Sequence, residues 1–452
     1  MIEEKDKKIA KYCIERALEY GASAARVSLN VSVSDSVATL NGEVDKVTHC
    51  ADKSLYIYVF ADGRYGTFST NASDPEQLDG FVKKAVEMVK ILAPDEYRQL
   101  PAIERTANDA TRGDEMGLLD ELYEELTPEL RRKTACAASH YARFDCDYKI
   151  ITEECEYSDG IDDNYLIDSN GFEGRHTETS YTFCAEITIE DKEGNKYSGY
   201  HWVASPFLKS FNCSDCADIA LEKAVRQIGP KPVQSGRMCM IVDRSVGSRL
   251  LSPVLRALDT ELIQQKNSFL PDAEGKVIFS ENLTIMDMAR TPGKTGSRMF
   301  DSEGVATVER PIIENGKVCM NCTTTYIAAK TSAEPTIDGF SRPVILPYIE
   351  SETLNKGGNT ISLENILSLC QKGIYVTGFN GGNCNPVTGD FSYGVEGFAF
   401  ENGQISYPVK EILITGNMKE LWKNFRAAGS DARDCARWSI PTLAFDNVDF
   451  SA

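Results

Sequence analysis

A cysteine lies in a glycine-rich stretch near the end of the chain, GGNCNPVTGDFSYG, in which Cys384 follows two glycines and precedes a proline. Such a residue is a nucleophile, a metal ligand or a small side chain at a tight bend. A thiol nucleophile needs a neighbouring base and a group that orients this base. The sequence identifies neither for Cys384, so the tight bend is the favoured interpretation.

The chain has four histidines, and none of them belongs to a known catalytic or metal-binding motif. They are His49, His140, His176 and His201. The sequence contains no His-Glu-x-x-His motif, no Gly-x-Ser-x-Gly elbow, and no Walker or Rossmann glycine loop. His49 and His201 lie in strand-like segments, which favours a structural role for both over metal binding.

Two Cys-x-x-Cys pairs occur among the 14 cysteines, Cys213 with Cys216 and Cys319 with Cys322. A structural zinc site needs two such pairs close together in space, and these pairs are far apart in the chain. Cys319 and Cys322 lie in a predicted strand, where an odd spacing sends the side chains to opposite faces. No metal ligand and no catalytic residue is therefore predicted from the residues.

Two aspartates lie beside glycine or serine in turn-like contexts, Asp301 in MFDSEGV and Asp390 in TGDFSY. Aspartate in such places commonly accepts hydrogen bonds from its own backbone, so a structural role in a turn is predicted for both. The alternative is that both carboxylates face a cleft.

The composition is that of a globular protein, with 42% hydrophobic and 26% charged residues in a chain of 452. A net charge of −20 repels a phosphate backbone, and no segregated basic patch offsets it, so nucleic-acid binding is not expected. No apolar run approaches the length that spans a bilayer, and the charged N-terminus lacks an apolar signal core. These features predict a cytoplasmic protein without membrane contact.

The first half of the chain predicts two α+β units joined by a linker. Residues 1–95 combine two helix patterns with antiparallel strands that turn at Asp62-Gly63. Residues 96–126 are acidic and polar and are interpreted as the linker. Residues 127–232 form the central α+β unit, which begins and ends with a helix.

The second half, residues 233–452, predicts a mostly β domain that forms a curved sheet or a partial barrel. The fold class is therefore α+β, and because the three units differ from one another, no internal repeat is predicted. Turns are predicted at Pro292-Gly293, Asn315-Gly316, Gly357-Gly358, Asn380-Gly381-Gly382 and Asn402-Gly403, and helices over residues 250–262, 362–373 and 418–428.

Three stretches together resemble the TldD/PmbA family: FDSEGV at 300–305, GGNCNPVTGDFSYGVEGFAFENGQISYPVKEILITGN at 381–417, and WSIPTLAFDNVDFSA at 438–452. The Gly-Asp-Phe-Ser block followed by Glu-Asn-Gly and Tyr-Pro-Val is specific, and the resemblance covers essentially the whole chain. Proteins of this family were named as modulators of DNA gyrase and later recognised as a peptidase system. The resemblance therefore implies proteolysis and peptide maturation.

The family has two branches, and the resemblance places this chain in the one without zinc. The TldD branch carries a His-Glu-x-x-x-His motif on the helix that follows the first strand of the C-terminal domain, where it holds zinc and polarises water. The corresponding stretch here is DRSVGSRLLSPVLRAL, residues 243–258, which has no histidine and no glutamate. The chain thus resembles the PmbA (TldE) branch, with zinc expected in a TldD-type partner and no cofactor in this chain.

The resemblance implies a dimer whose central cavity encloses the peptidase site and admits unfolded peptide as an added strand. The expected partners are a TldD-type zinc subunit, or a second copy of the chain, and the peptide substrate. Two alternatives remain: an independent hydrolase that uses Cys384 or unusual ligands, and a non-enzymatic modulator of DNA gyrase that acts through protein partners. The candidate residues of the peptide cavity are Asp301, Glu303, Asn380, Cys384, Asp390 and Tyr393.

Overall fold

The computed structural model describes residues 1–72, 74–138, 148–350 and 360–452, so His140 and the predicted turn at Gly357-Gly358 lie outside the described residues. Its fold class is α+β, as predicted. The described residues divide into two compact units. The first comprises Met1–Leu221, Arg290–Val308 and Thr323–Gly339, and the second comprises Glu222–Ala289, Glu309–Cys322 and Phe340–Ala452.

A six-stranded antiparallel sheet forms the centre of the first unit, in the order β3-β2-β1-β4-β5-β6. Along the chain, α1 precedes β1 and α2 follows β3, while α3 precedes β4 and α4 follows β6. The unit also contains α7. The strands are Ala24–Leu40, Glu43–Ala61, Arg64–Thr70, Lys149–Asp168, Glu173–Glu190 and Lys196–Ser205 for β1 to β6, and the helices are Glu4–Glu19 (α1), Pro75–Val89 (α2), Pro128–Ala137 (α3), Cys216–Val225 (α4) and Thr325–Thr331 (α7).

The order of elements in this sheet repeats, and the expectation of no internal repeat was wrong. Strands β1 to β3 form one meander between α1 and α2, and β4 to β6 form a second meander between α3 and α4. The two meanders join through antiparallel pairing of β1 with β4 at the centre of the sheet. The repeat lies in the order and pairing of the elements.

The strand and helix patterns of the first unit have clear local causes. Ala10, Ile14 and Ala17 recur at helical spacing and are buried on one face of α1. The hairpin turn at Asp62-Gly63 has positive φ at both residues, as a two-residue turn between twisted strands requires. Helix α1 and helix α2 together cover β1 and β2 with a continuous apolar core.

Residues 96–126, interpreted above as a linker, pack into the first unit. Ala110 and Leu118 are fully buried in an apolar cluster. The carbonyl of Ala110 accepts a hydrogen bond from the Arg175 backbone at 2.6 Å, and that of Leu118 accepts one from Thr179 at 3.0 Å. These backbone hydrogen bonds place the segment beside β5.

The second unit contains a closed β-barrel, which confirms the prediction of a mostly β domain. Five strands follow one another in the order β14-β13-β12-β7-β16, and pairing of β14 with β16 closes the ring, while β15 adds to β16. A smaller sheet has the order β10-β9-β8-β11. The strands are Gly236–Val242, Ile285–Asp287, Arg310–Glu314, Lys317–Val318, Pro343–Ile345, Gly373–Cys384, Asp390–Glu401, Gln404–Asn417, Phe425–Ala428 and Leu443–Ser451 for β7 to β16.

Four helices accompany these strands in the part of the chain that the structure describes, and three of them, α5, α6 and α9, correct two predictions from the sequence. The single helix expected over residues 250–262 is divided into α5 and α6, because Asp259 begins a new helix by accepting a hydrogen bond from the Glu261 backbone. The helix expected over 418–428 ends at Lys423, and β15 follows it. The four are Ser248–Ala257 (α5), Thr260–Gln264 (α6), Leu363–Cys370 (α8) and Met418–Lys423 (α9).

Two further predictions in this unit were wrong. The strand expected around Cys319 and Cys322 is confined to Lys317–Val318. The turn expected at Asn380-Gly381-Gly382 is instead a β-bulge inside β12, in which Gly381 and Gly382 both have positive φ. No helix in the described part of the chain is both long and apolar enough to cross a membrane.

Removal of the Arg131 guanidinium is expected to destabilise the first unit. Arg131 on α3 donates hydrogen bonds of 2.6 and 2.8 Å to both carboxylate oxygens of Asp159, and its Nη2 lies 3.2 Å from Asp35. Arg131→Met leaves the buried Asp159 without this partner, which lowers the free energy of unfolding by about 3–5 kcal/mol. Arg132→Met, at the exposed next position of α3, changes it by about 0.5 kcal/mol or less.

Urea denaturation followed by circular dichroism measures both variants. Equal midpoints for Arg131→Met and Arg132→Met would contradict a structural role for the buried ion pair.

Candidate functional site

A cleft of about 520 Å³ opens beside α5 in the second unit, and we call it the α5 cleft. One wall is the outer face of α5, and the opposite wall is formed by the β12–β13 hairpin from Gly382 to Tyr393. Leu262, Asn267, Phe269 and Trp438 also line the cleft. The cleft therefore combines aromatic surface with amide, hydroxyl and guanidinium groups.

Helix α5 is amphipathic, and this property decides which of its side chains reach the cleft. Its apolar face, which includes Leu251 and Val254, is buried in the unit. Arg249, Ser252 and Arg256 recur at intervals of three and four residues on the opposite face and line the cleft. The polar residues of one helical face thus form a single row along the cleft.

The glycine bulge of β12 positions the first arginine of this row. Gly381 and Gly382 together lie opposite Tyr393 of β13, so that two residues of one strand face one of the other. Nη2 of Arg249 donates to the carbonyl oxygen of Gly382 at 2.7 Å and to that of Gly381 at 3.3 Å. The same guanidinium lies 4.9 Å from the ring centre of Tyr393. The bulge therefore turns two carbonyls toward α5 and fixes Arg249 over an aromatic ring.

Cys384 lines the cleft, but its surroundings suit a neutral thiol. Burial raises the pKa of Cys384, and the Asp390 carboxylate raises it further. Among the described residues, the cleft lining contains no histidine, aspartate or glutamate that could serve as a base. Its Sγ lies 3.7 Å from the carbonyl oxygen of Asn385. Without a base or a lowered pKa, the thiol lacks the activation that a nucleophile requires.

The loop between β12 and β13 is fastened mainly by amide side chains. Asn385 Oδ1 accepts hydrogen bonds from the Val387 backbone at 2.9 Å and from that of Thr388 at 3.4 Å. Asp390 is exposed at the start of β13, and its Oδ1 accepts from Asn417 Nδ2 at 2.9 Å. Hydrogen bonds from the side chains of Asn417 and Thr388 lower the pKa of Asp390. Asp390 thus helps to stabilise the β12–β13 hairpin that carries Cys384.

Asn380, another candidate residue of the peptide cavity, lies at the edge of the bulge and is exposed. Its Nδ2 donates to Glu396 Oε2 across the β12–β13 pair at 3.1 Å. Asn380 does not line the α5 cleft.

Asp301 and Glu303 belong to the first unit, where both hold backbone in place. The buried Asp301 carboxylate accepts hydrogen bonds from the backbones of Glu303 and Val305 at 2.9 Å and of Asp338 at 3.0 Å. Burial, followed by the nearby Asp338 carboxylate, raises the pKa of Asp301 to about 7. Glu303 Oε2 accepts from the backbone and hydroxyl of Thr325 at the start of α7.

The structure thus brings two of the six candidates, Cys384 and Tyr393, into one cleft. The sequence reading missed Arg249, Ser252 and Arg256, although their spacing on an amphipathic helix is visible in the sequence. It also missed Trp438, whose position in the lining depends on tertiary packing and leaves no local signal.

Family models match most of the chain in three consecutive segments. They are described as PmbA/TldA metallopeptidase domain 1 for residues 25–89, the central domain for 119–228 and the C-terminal domain for 235–452. The chain belongs to the PmbA/TldD family. The α5 cleft lies entirely within the segment that matches the C-terminal domain of this family.

Known members of the PmbA/TldD family align with the chain over nearly its full length. Metalloprotease PmbA of Escherichia coli O157:H7 is 26% identical over 437 residues, which is 95% of this chain and 93% of that protein. The crystal structure of a proposed modulator of DNA gyrase from Bacteroides thetaiotaomicron is 36% identical, covers all of both chains and has a TM-score of 0.93. TldE from Thermococcus kodakarensis, at 19% identity, shares the fold with a TM-score of 0.80 over 98% of this chain and all of that one.

The α5 cleft does not fit the zinc ion that metallopeptidases of the PmbA/TldD family are expected to use. Zinc takes imidazole, thiolate and carboxylate ligands, whereas the α5 face offers guanidinium and hydroxyl groups. Of the lining residues that the structure describes, Cys384 alone offers a donor that zinc prefers, and burial disfavours its thiolate. Within the described ranges, no group of three or more His, Cys, Asp or Glu side chains could hold a metal ion.

Alanine at the two bulge glycines is expected to have unequal effects on stability. A Cβ on Gly382 would lie 2.0 Å from the Ser392 carbonyl oxygen, and φ there is +74°. Gly381 has a φ of +65°, but open space surrounds its Cβ position. We expect Gly381→Ala to cost about 1–2 kcal/mol from backbone conformation alone, and Gly382→Ala to cost at least about 3 kcal/mol because a backbone clash adds to the strain. Thermal or urea unfolding measures both, and equal losses would contradict the bulge geometry.

Cys384 is expected to react slowly with iodoacetamide, because alkylation requires the thiolate. Asp390→Asn removes the negative charge that raises the Cys384 pKa and should speed this reaction at constant pH. Asp449→Asn, which neutralises an exposed aspartate paired with Arg237, is the control and should leave the rate unchanged. Peptide mass spectrometry measures the rate at Cys384. Faster alkylation than at a free cysteine in unfolded protein would contradict the neutral-thiol environment.

Proposed function

We propose that this chain is a PmbA/TldE-type subunit of a TldD-type metallopeptidase complex that encloses and cleaves unfolded peptides. The chain contributes cavity wall and peptide binding, while the zinc ion and the activated water belong to the TldD-type partner. The observation that carries this proposal is the α5 face, which places Arg249, Ser252 and Arg256 in the cleft and offers no zinc ligand.

The position of α5 in the fold supports this assignment. Strand β7 is the first strand of the barrel unit along the chain, and α5 is the helix that follows it. In the TldD branch the corresponding helix carries the His-Glu-x-x-x-His motif. A guanidinium is permanently charged and has no lone pair for a metal, so Arg249 and Arg256 cannot act as zinc ligands. Peptide binding therefore replaces metal binding as the use of this face.

The composition of the cleft lining supports peptide as the ligand. Phe269, Tyr393 and Trp438 offer apolar surface for side chains, and Asn267 and Asn383 offer amide groups that can pair with a peptide backbone. Such a site has little specificity for the side chains of the peptide, which suits a subunit that binds unfolded chains of varied sequence. Enclosure by a second subunit would exclude folded proteins and protect them from cleavage.

The two alternative functions have weaker support. An independent thiol hydrolase would need an activated Cys384, and the lining residues within the described ranges provide no base for it. An effect on DNA gyrase would have to act through protein contacts, because the net charge of −20 disfavours DNA binding.

Reconstitution with a TldD-type subunit that carries His-Glu-x-x-x-His tests the proposed function. The chain alone, the partner alone and the mixture are compared by size-exclusion chromatography, metal analysis and cleavage of an unstructured peptide. We expect no stoichiometric zinc and no cleavage by the chain alone, and zinc, cleavage and co-elution in the mixture. The matched control is the same partner with its motif histidines replaced.

Stoichiometric zinc together with cleavage by the chain alone would refute the proposed function. Failure to co-elute with any TldD-type subunit encoded in the same genome would refute the proposed complex.

A further inference from the structure

The α5 cleft differs in charge from the rest of the protein. The chain has 68 acidic and 48 basic residues, yet the part of the cleft lining that the structure describes includes two arginines and no acidic side chain. The two guanidinium groups make the cleft locally positive in a chain whose net charge is −20. A site of this kind attracts an anionic group, because guanidinium groups that line a cleft act on a ligand at short range.

The two arginines differ in how firmly they are held. Arg249 is fixed by the Gly381 and Gly382 carbonyls and by the Tyr393 ring, which leaves its remaining N–H donors for a ligand. Arg256 is exposed, and its guanidinium makes no hydrogen bond or ion pair with the residues that the structure describes. All N–H donors of the Arg256 guanidinium are therefore available to a ligand.

The spacing of the arginines sets the length of chain that they span. Arg249 and Arg256 are seven residues apart on one helix, which is about 10.5 Å along its axis. An extended peptide rises about 3.3 Å per residue, so roughly three residues cover this distance. Phe269, Tyr393 and Trp438 line the same cleft, and the Ser252 hydroxyl lies in the row between the arginines. The cleft therefore suits a short extended segment with an anionic end.

We propose that the α5 cleft binds a carboxylate of an extended peptide through Arg256, with Arg249 and the aromatic wall holding the residues beside it. This inference rests on the proposed function and adds a substrate class: peptides with a free C-terminus or an acidic residue at the bound segment. A planar guanidinium can bind either carboxylate with two parallel hydrogen bonds. Phosphate groups of nucleic acid are disfavoured by the net charge of −20 of the whole chain.

Fluorescence anisotropy with three labelled peptides of one unstructured, otherwise uncharged sequence tests the proposal on the isolated chain. The first peptide has a free C-terminal carboxylate, the second a C-terminal amide, and the third a C-terminal amide with glutamate as its last residue. We expect the first or the third, or both, to bind about tenfold more tightly than the second, as expected for a charged hydrogen-bonded pair. Which of the two binds more tightly identifies the source of the carboxylate.

Arg256→Gln is expected to remove this preference, because the peptides with a carboxylate then bind no more tightly than the fully amidated peptide. Arg256→Lys keeps the charge without the planar pair of donors and should retain part of the preference. Arg237→Gln is the matched control, since it removes one arginine charge from the same unit outside the cleft. Far-ultraviolet circular dichroism verifies that all variants are folded.

Equal binding of the three peptides, absence of binding to the isolated chain, or an equal loss in Arg237→Gln and Arg256→Gln would each overturn the proposal. Co-elution of Arg256→Gln with the TldD-type partner is measured in parallel. The two proposals therefore fail in different ways. Failure of this inference appears as a missing carboxylate preference while the complex still assembles. Failure of the proposed function appears as a complex that does not assemble or does not contain zinc.

Discussion

The close approach of two backbones at Gly382 is the constraint on which the site depends. No side chain fits between Gly382 and the Ser392 carbonyl, and this contact lets β12 bulge opposite Tyr393. The bulge turns two carbonyls toward α5, and these carbonyls hold Arg249 over the Tyr393 ring. Closure of the barrel by β14 and β16 keeps the hairpin in this position. Two glycines thus connect the barrel to the arrangement of charges in the cleft.

This arrangement suits the binding role that we propose for the cleft better than the chemistry of hydrolysis. Peptide-bond cleavage at neutral pH needs an activated nucleophile or a metal-bound water. The lining offers a thiol whose pKa is raised and two guanidinium groups, and neither supplies such a nucleophile. We therefore propose, for a member of a family of metallopeptidases, that this subunit holds substrate for a zinc-bearing partner.

The sequence predicted the fold class and the family, and it failed where long-range pairing decides the outcome. Local signals such as Asp62-Gly63 and the apolar face of α1 were sufficient because turn geometry and helix periodicity are set by neighbouring residues. The joining of two meanders through β1 and β4, and the closure of β14 on β16, bring together residues distant in the chain. The glycines of β12 predict a turn in the sequence, because positive φ at glycine is typical of a turn as well as of a bulge. The sequence does not single out Arg256, because a charged residue on an amphipathic helix is usually solvated. Only the folded structure shows that Arg256 lines a cleft.

The central claim is that the zinc ion of the complex belongs to the partner and that the α5 cleft holds peptide. Anomalous diffraction at the zinc absorption edge, from crystals of the complex with a bound peptide, locates the metal directly. The account predicts one zinc peak, on the helix that bears His-Glu-x-x-x-His in the partner subunit, and peptide density beside Arg256 of this chain. A zinc peak in the α5 cleft of this chain would contradict it.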